Sequence, residues 1–150
     1  MLLNFRPCFG RALVVGVGRI GGRKVRRLVE AGFAVTAVDP TGAAAIADLP
    51  GVQVRARPFT DGDLEGHALI IAATADRAVN RRVGELARAA GLPVCVCDAA
   101  GESTFWGVAT WRRRRITIGV ASERGRPRRA SRALRKLRRR WPLPPGPRSG

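Results

Sequence analysis

The stretch from Arg11 to Asp39 constrains this chain more than any other. An apolar run, Arg11-Ala-Leu-Val-Val15, breaks at Gly16-Val-Gly18-Arg-Ile-Gly21-Gly22, after which Ile20, Val25, Leu28 and Val29 recur at helical spacing until Gly32. A second apolar run, Phe33-Ala-Val-Thr-Ala-Val38, ends on Asp39-Pro40. The pattern is strand, tight turn, helix and strand, the unit from which parallel sheets are built.

Each glycine has its own task in that reading. Gly16 permits the tight turn, Gly18 removes a side chain from the path of a pyrophosphate, and Gly21 lets helix and strand pack closely. Free N–H groups at the helix start then face the anion. Asp39, 21 residues beyond Gly18, is positioned to accept from the adenosine ribose hydroxyls and to repel a 2′-phosphate. NAD, in preference to NADP, is the expected cofactor. Arg19, Arg23 and Lys24 read equally well as phosphate contacts or as solvated helix surface.

The rest of the chain extends the alternation. Thr41 to Leu49 is expected as loop or short helix, and Val52-Gln-Val-Arg55 as a modest strand. Leu69-Ile-Ile-Ala-Ala73 is a wholly apolar strand of the kind covered by helices on both faces. Thr74-Ala75-Asp76 offers caps for a helix carrying Val79, Val83, Leu86, Ala87 and Ala90, closed at Gly91 and followed by a strand over Leu92 to Cys97. Beyond Asp98, 104–111 and 116–121 are expected to pair as a hairpin, and Ala130, Leu134, Leu137 and Trp141 mark a basic amphipathic helix. Pro142 to Gly150 reads as a frayed tail.

Charge is distributed unevenly. The chain has 150 residues and a net charge of +17, but residues 1–110 hold 13 basic and 10 acidic side chains, a net of +3, whereas 111–150 hold 15 and 1. The excess therefore belongs to the last quarter and says little about the body. Arg outnumbers Lys 26 to 2, which points in part to a coding bias rather than to a binding surface.

Three cysteines, an odd number with no secretory leader, speak against a disulfide scaffold and for a reducing, cytoplasmic setting. Cys95 and Cys97 are read as structural thiols on opposite strand faces, without the partners zinc needs. His67 is the only histidine, so no fixed metal site is expected, and no run of apolar residues is long enough to span a bilayer.

Three segments together resemble a specific family: Val14-Val-Gly-Val-Gly-Arg-Ile-Gly-Gly-Arg-Lys24, Ile71-Ala-Ala-Thr-Ala-Asp-Arg-Ala-Val-Asn80, and Val94-Cys-Val-Cys-Asp-Ala99 followed by Ser103-Thr-Phe105. They look like the successive motifs of the siroheme-synthase amino-terminal region, the precorrin-2 dehydrogenase and sirohydrochlorin ferrochelatase family. The resemblance runs from about residue 5 to residue 140.

It implies an α/β fold, with a Rossmann-like NAD(P)-binding domain over 1–103, a strand-hairpin and helix dimerisation segment over 104–141, and a tail over 142–150. It further implies NAD-dependent oxidation of precorrin-2 to sirohydrochlorin by a homodimer, and in some members insertion of ferrous iron, a substrate rather than a resident cofactor. The family's catalytic aspartate falls on Asp98. Its nucleotide contacts fall on Gly18, Arg19, Ile20, Asp39, Ala73 and Thr74, beside Gly16 and Gly21 of the turn. Asn80 and Ser122 fall on motif positions and, with Arg124 and Arg126, are the expected substrate contacts. The chain departs from the family at Cys95, Ala100, Val108 and the turn over 121–127.

The reading from another class is a noncatalytic NAD-sensing or regulatory domain whose basic end meets nucleic acid or a partner. The chain shows no nucleic-acid motif, and the three ordered segments favour the enzyme.

Overall fold

The computed structural model describes residues 5–113, 116–122 and 127–140. One compact unit ends at Phe105 and a second begins at Trp106. In the first, strands β1 (Arg11–Val15), β2 (Val35–Val38), β3 (Val52–Arg55), β4 (His67–Ala72) and β5 (Val94–Val96) form a parallel sheet in the order β3-β2-β1-β4-β5. The chain winds outward from β1 to β3 and then resumes on the other side of β1. The strand order therefore reverses between β1 and β4, the place where open sheets of this kind bind ligands beyond the carboxyl ends of their strands.

Helices α1 (Arg19–Glu30), α2 (Ala44–Ala47) and α3 (Arg77–Ala89) account for the unbroken apolar runs. Alternate residues of β1 enter different cores: Ala12 and Val14 pack with Val25 of α1 and Ile46 of α2, while Leu13 and Val15 pack with Val83 and Ala87 of α3. A strand covered on both faces has little room for polar residues, and alternation disappears. The short helix allowed for between Thr41 and Leu49 is α2.

Two strands begin later than their apolar runs. Gly32, at φ +87°, ends α1 with its N–H on Val29 O, while Phe33 N–H returns 2.9 Å to Leu28 O. Gly91 and Leu92 close α3 in the same way, Leu92 N–H lying 2.8 Å from Ala87 O. Phe33 and Leu92 are thus taken up by helix closure, the 6→1 bond of a glycine-ended helix, and pairing starts at Val35 and Val94.

Strand β5 is the edge of the sheet, and the segment after it protects that edge. Ser103 Oγ accepts from Val96 N–H at 2.9 Å, Thr104 Oγ1 accepts from Val94 N–H at 2.8 Å, and Thr104 N–H donates to Val94 O. Two hydroxyls thereby occupy donors that would otherwise invite another strand. Cys95 and Cys97 correct the expectation of opposite faces. Side chains two apart on a strand share a face, both lie on the α1 side of the sheet, and the hydrogen bond to Cys95 and burial together push the Cys97 thiol up.

Asp63, 1% exposed, is the main buried charge. It accepts from Arg55 at 2.6 Å, from Arg57 at 2.5 and 2.8 Å, and from Thr60 N–H at 2.9 Å. The Arg57 bonds hold the carboxyl well below the usual range against the opposing effect of burial, helped by Thr60 and Arg55. Its folded value lies below the unfolded one, so this stabilisation is complete above about pH 4 and is lost as the pH falls. Both arginines still reach water, so removing the acid strands no buried cation. Asp63→Asn is expected to cost about 2 kcal/mol at neutral pH and to flatten the acid decline of stability, as measured by calorimetry from pH 2 to 7. An equal cost at both ends of that range would mean that shape, not charge, is at stake.

In the second unit, β6 (Ala109–Arg113) and β7 (Ile116–Val120) pair antiparallel, with Trp111 opposite Ile118, and α4 spans Pro127–Arg140. Ala130 and Leu134 are its buried residues, and Arg138 lies 5.7 Å from the Trp111 ring centroid, within cation–π range. Every described Arg and Lys of α4 is exposed. Trp141 and the tail over 142–150 lie outside the described residues. No described helix is long and apolar enough to cross a membrane.

Candidate functional site at the carboxyl edge of the sheet

The glycine turn is built by contact with the end of β4. Gly16 has φ +86°, and a Cβ there would lie 2.5 Å from Thr74 N. A Cβ on Gly21 would stand 1.8 Å from Gly16 O. Both positions are closed to any side chain by packing within the protein. Gly18 differs, because a Cβ there meets nothing within 4 Å. Gly18 is also the N-cap of α1 and supplies no side-chain cap, the first turn carries no acidic residue, and Arg19 and Ile20 are exposed. The first-turn N–H groups of a helix have no acceptor within it, so this end favours an anion.

Asp39 follows β2 at the same edge and is 9% exposed. Its Oδ2 accepts from Val17 N–H at 2.6 Å, and its Oδ1 from Thr41 N–H at 2.9 Å and Thr41 Oγ1 at 2.6 Å. Burial raises the carboxyl, but the bonds from Thr41 and Val17 outweigh it and leave Asp39 below its ordinary value. It is thus anionic at neutral pH, tied to the turn, with acceptor capacity left on Oδ2.

On the other side of β1, three elements converge through one amide. Asn80, on the second turn of α3, is fully buried. Its Oδ1 accepts from Thr74 N–H at 3.0 Å and lies 2.8 Å from Thr74 Oγ1, while its Nδ2 donates to Thr74 O and to Asp98 Oδ2, each at 3.0 Å. Asp98 follows β5, and its side chain is 37% exposed. Arg77 Nε stands 3.9 Å from the same Oδ2, and Arg77 also pairs with Glu102.

Gly16, Gly18, Arg19, Ile20, Gly21, Asp39, Ala73, Thr74 and Asp98 therefore gather beyond the carboxyl ends of β1, β2, β4 and β5. Asn80 is there too, fully buried, with both of its amide N–H groups donated to protein. Ser122 is half-buried after β7 in the second unit, and Arg124 and Arg126 lie outside the described residues. His67 begins β4 at the opposite edge, its Nε2 2.8 Å from Thr36 Oγ1, and burial holds its value down. Among the described residues no cluster of three His, Cys, Asp or Glu could hold a metal ion.

The sequence reading missed Arg77. The signal was present, because Arg77 and Asn80 are three apart and so share the face of α3 that meets Asp98.

An open Gly18, an uncapped helix start and a buried anionic Asp39 fit the pyrophosphate and ribose of a dinucleotide, so the fold and site define an NAD(P)-binding domain of Rossmann type. The family described as "Putative NAD(P)-binding" matches residues 3–109. The siroheme synthase of Pseudomonas entomophila is 39% identical over 128 residues, 80% of this chain and 28% of that protein. Those of Methylococcus capsulatus and Methylobacillus flagellatus are 38% and 40% identical over 77% and 81% of this chain. This chain thus belongs to the NAD(P)-binding family that includes the amino-terminal region of siroheme synthases, and it spans roughly a quarter of those relatives' length. A solved structure named "SirC, precorrin-2 dehydrogenase" shares the fold, with a TM-score of 0.77 at 24% identity over 94% of this chain and 71% of that one.

Proposed function

We propose that this chain is an NAD-dependent dehydrogenase module that oxidises precorrin-2 to sirohydrochlorin in siroheme biosynthesis. The observation that carries the reading is Asp98, a half-exposed carboxylate at the sheet edge that bears the glycine turn, joined to that turn through Asn80 and Thr74. Siroheme synthases among the relatives supply the substrate class.

The oxidation removes a hydride and a proton from the macrocycle. NAD, when bound, supplies the hydride acceptor, and the protein supplies position and a base. Gly18, Arg19, Ile20 and Gly21 receive the pyrophosphate at the start of α1, with Gly16 shaping the turn. Asp39 accepts from the ribose and, being anionic, selects against a 2′-phosphate. Ala73 and Thr74 flank the cofactor. Asp98 has Oδ2 held by Asn80 and takes the proton on its other oxygen.

The second unit completes the proposal. Residues 104–141, of which Thr104 and Phe105 lie in the first unit, form a dimerisation and substrate-contact segment, because two strands and one helix bury too little to stand alone. Ser122, Arg124 and Arg126, with the exposed cations of α4, attract the polycarboxylate substrate. The protein works in the cytoplasm as a homodimer.

One experiment tests this. The purified chain, its mass fixed by light scattering, is incubated anaerobically with precorrin-2 and NAD while NADH and the sirohydrochlorin spectrum are followed. Dimer mass and NAD-dependent turnover are expected. Folded protein that binds NAD without turnover would instead support a sensing domain. A separate arm with sirohydrochlorin and ferrous iron reads metal insertion against the uncatalysed rate.

A further inference from the structure

We propose that Asn80 is a positioning residue that fixes the Asp98 carboxylate by presenting to Oδ2 a hydrogen-bond donor whose polarity is dictated by the backbone of Thr74. The inference rests on Asp98 being the base.

An amide side chain has two ends of similar shape and opposite polarity, and its neighbours decide which end faces where. Thr74 N–H can only donate, and it meets Asn80 Oδ1 at 3.0 Å; Thr74 O can only accept, and it meets Nδ2 at 3.0 Å. Turning the amide over would set N–H against N–H at one end and oxygen against two oxygens at the other. The donor must therefore point at Asp98. Because Asn80 has no exposed surface, the bond cannot be traded for water.

The arrangement couples two sides of the site. Thr74 closes against Gly16 of the glycine turn, and the same amide that holds Thr74 holds Oδ2 of Asp98. A carboxylate on a loop would otherwise rotate, and a base loses rate steeply with small misplacement. With Oδ2 occupied by Asn80 and neighboured by Arg77, the other oxygen is the one left to take a proton.

Asn80→Asp separates this role from mere packing. The variant keeps an oxygen for Thr74 N–H and replaces the donor facing Asp98 with an acceptor. Two carboxylates about 3 Å apart resist ionising together, so the pair keeps one proton well above the ordinary carboxylate range and gives it up only as the pH rises further; with that proton on the introduced carboxyl the donor is restored. The other charged or titratable groups nearby are Arg77 and the capping Asp76 on α3, Glu102 behind Arg77, and Cys97 beside Asp98. Comparison with the wild type at each pH subtracts their titration.

The expected result is an NAD Kd within about twofold of wild type and a kcat at least about tenfold lower at pH 8. The deficit should shrink toward pH 6, where a simple base loses activity. A second readout needs no turnover: the folded pair binds its proton more tightly than the unfolded chain does, so the Tm deficit of Asn80→Asp should also shrink as the pH falls from 8 to 5.5. Adding Asp98→Asn should weaken that pH dependence of Tm to what burial and Thr74 O alone impose on the introduced carboxyl, and recover part of the stability, while leaving turnover absent. A Tm deficit independent of pH, or an NAD Kd that rises in step with the loss of kcat, would overturn the proposal. Should wild type fail to turn over, the Tm series still decides whether Asn80 holds Asp98, and only the dehydrogenase reading falls.

Discussion

Asp98→Asn is expected to lower kcat for NAD-dependent oxidation of precorrin-2 by at least about 10²-fold while leaving the NAD Kd within about twofold. Loss of a positioned general base typically costs about 10²–10⁴-fold. The substitution is conservative in shape, and an asparagine oxygen can still accept from Asn80 Nδ2, so the network through Thr74 survives. What disappears is the capacity to take a proton. Anaerobic single-turnover kinetics with isothermal titration of NAD makes the comparison, and turnover within about threefold of wild type would remove Asp98 from the reaction.

Gly18→Val and Gly21→Ala should fail in opposite ways. Gly18 has φ −61° and ψ −165°, an extended conformation open to any residue, and empty space where its Cβ would point. Valine there should fold at near wild-type Tm yet fill the approach to the start of α1. The NAD Kd is expected to rise about 100-fold, close to about 3 kcal/mol. Gly21→Ala drives a methyl to 1.8 Å from Gly16 O, a backbone atom that cannot swing aside. About 3 kcal/mol of stability should be lost, with much of the folded population at about 37 °C, whether or not NAD is added. Titration calorimetry and thermal unfolding together separate the two. Unimpaired NAD binding by Gly18→Val would mean that the turn does not cradle a pyrophosphate.

Much of the candidate site was legible because its requirements are local. Gly16, Gly18 and Gly21 announce themselves by spacing between a strand and a helix, and Asp39 by its place at the end of the next strand. Asp76 was readable as a cap, and it accepts from Ala78 N–H and Val79 N–H as caps do. The strand starts at Phe33 and Leu92 were misread for a local reason too: a hydrophobic residue after a closing glycine looks like the first residue of a strand. The thiols of Cys95 and Cys97 needed only correct strand parity.

Asn80 is the clearest case of what spacing could not supply. A motif position marks a residue that matters, but substrate contact and buried support leave the same trace in one sequence. The distinction needed the distances to Thr74 and Asp98, groups 6 and 18 residues away in the chain.

By itself the sequence determined the strand–turn–helix unit, the acidic partner of the turn and the confinement of excess charge to the last quarter, since each depends on neighbours within a few residues or on simple counting. Only the tertiary structure decided which glycines are closed by packing and which stands open, and that Asn80 is buried against the Asp98 carboxylate. Those answers depend on how β4 and β5 lie beside β1, a non-local pairing that brings Thr74, Asp98 and Gly16 together across the sheet.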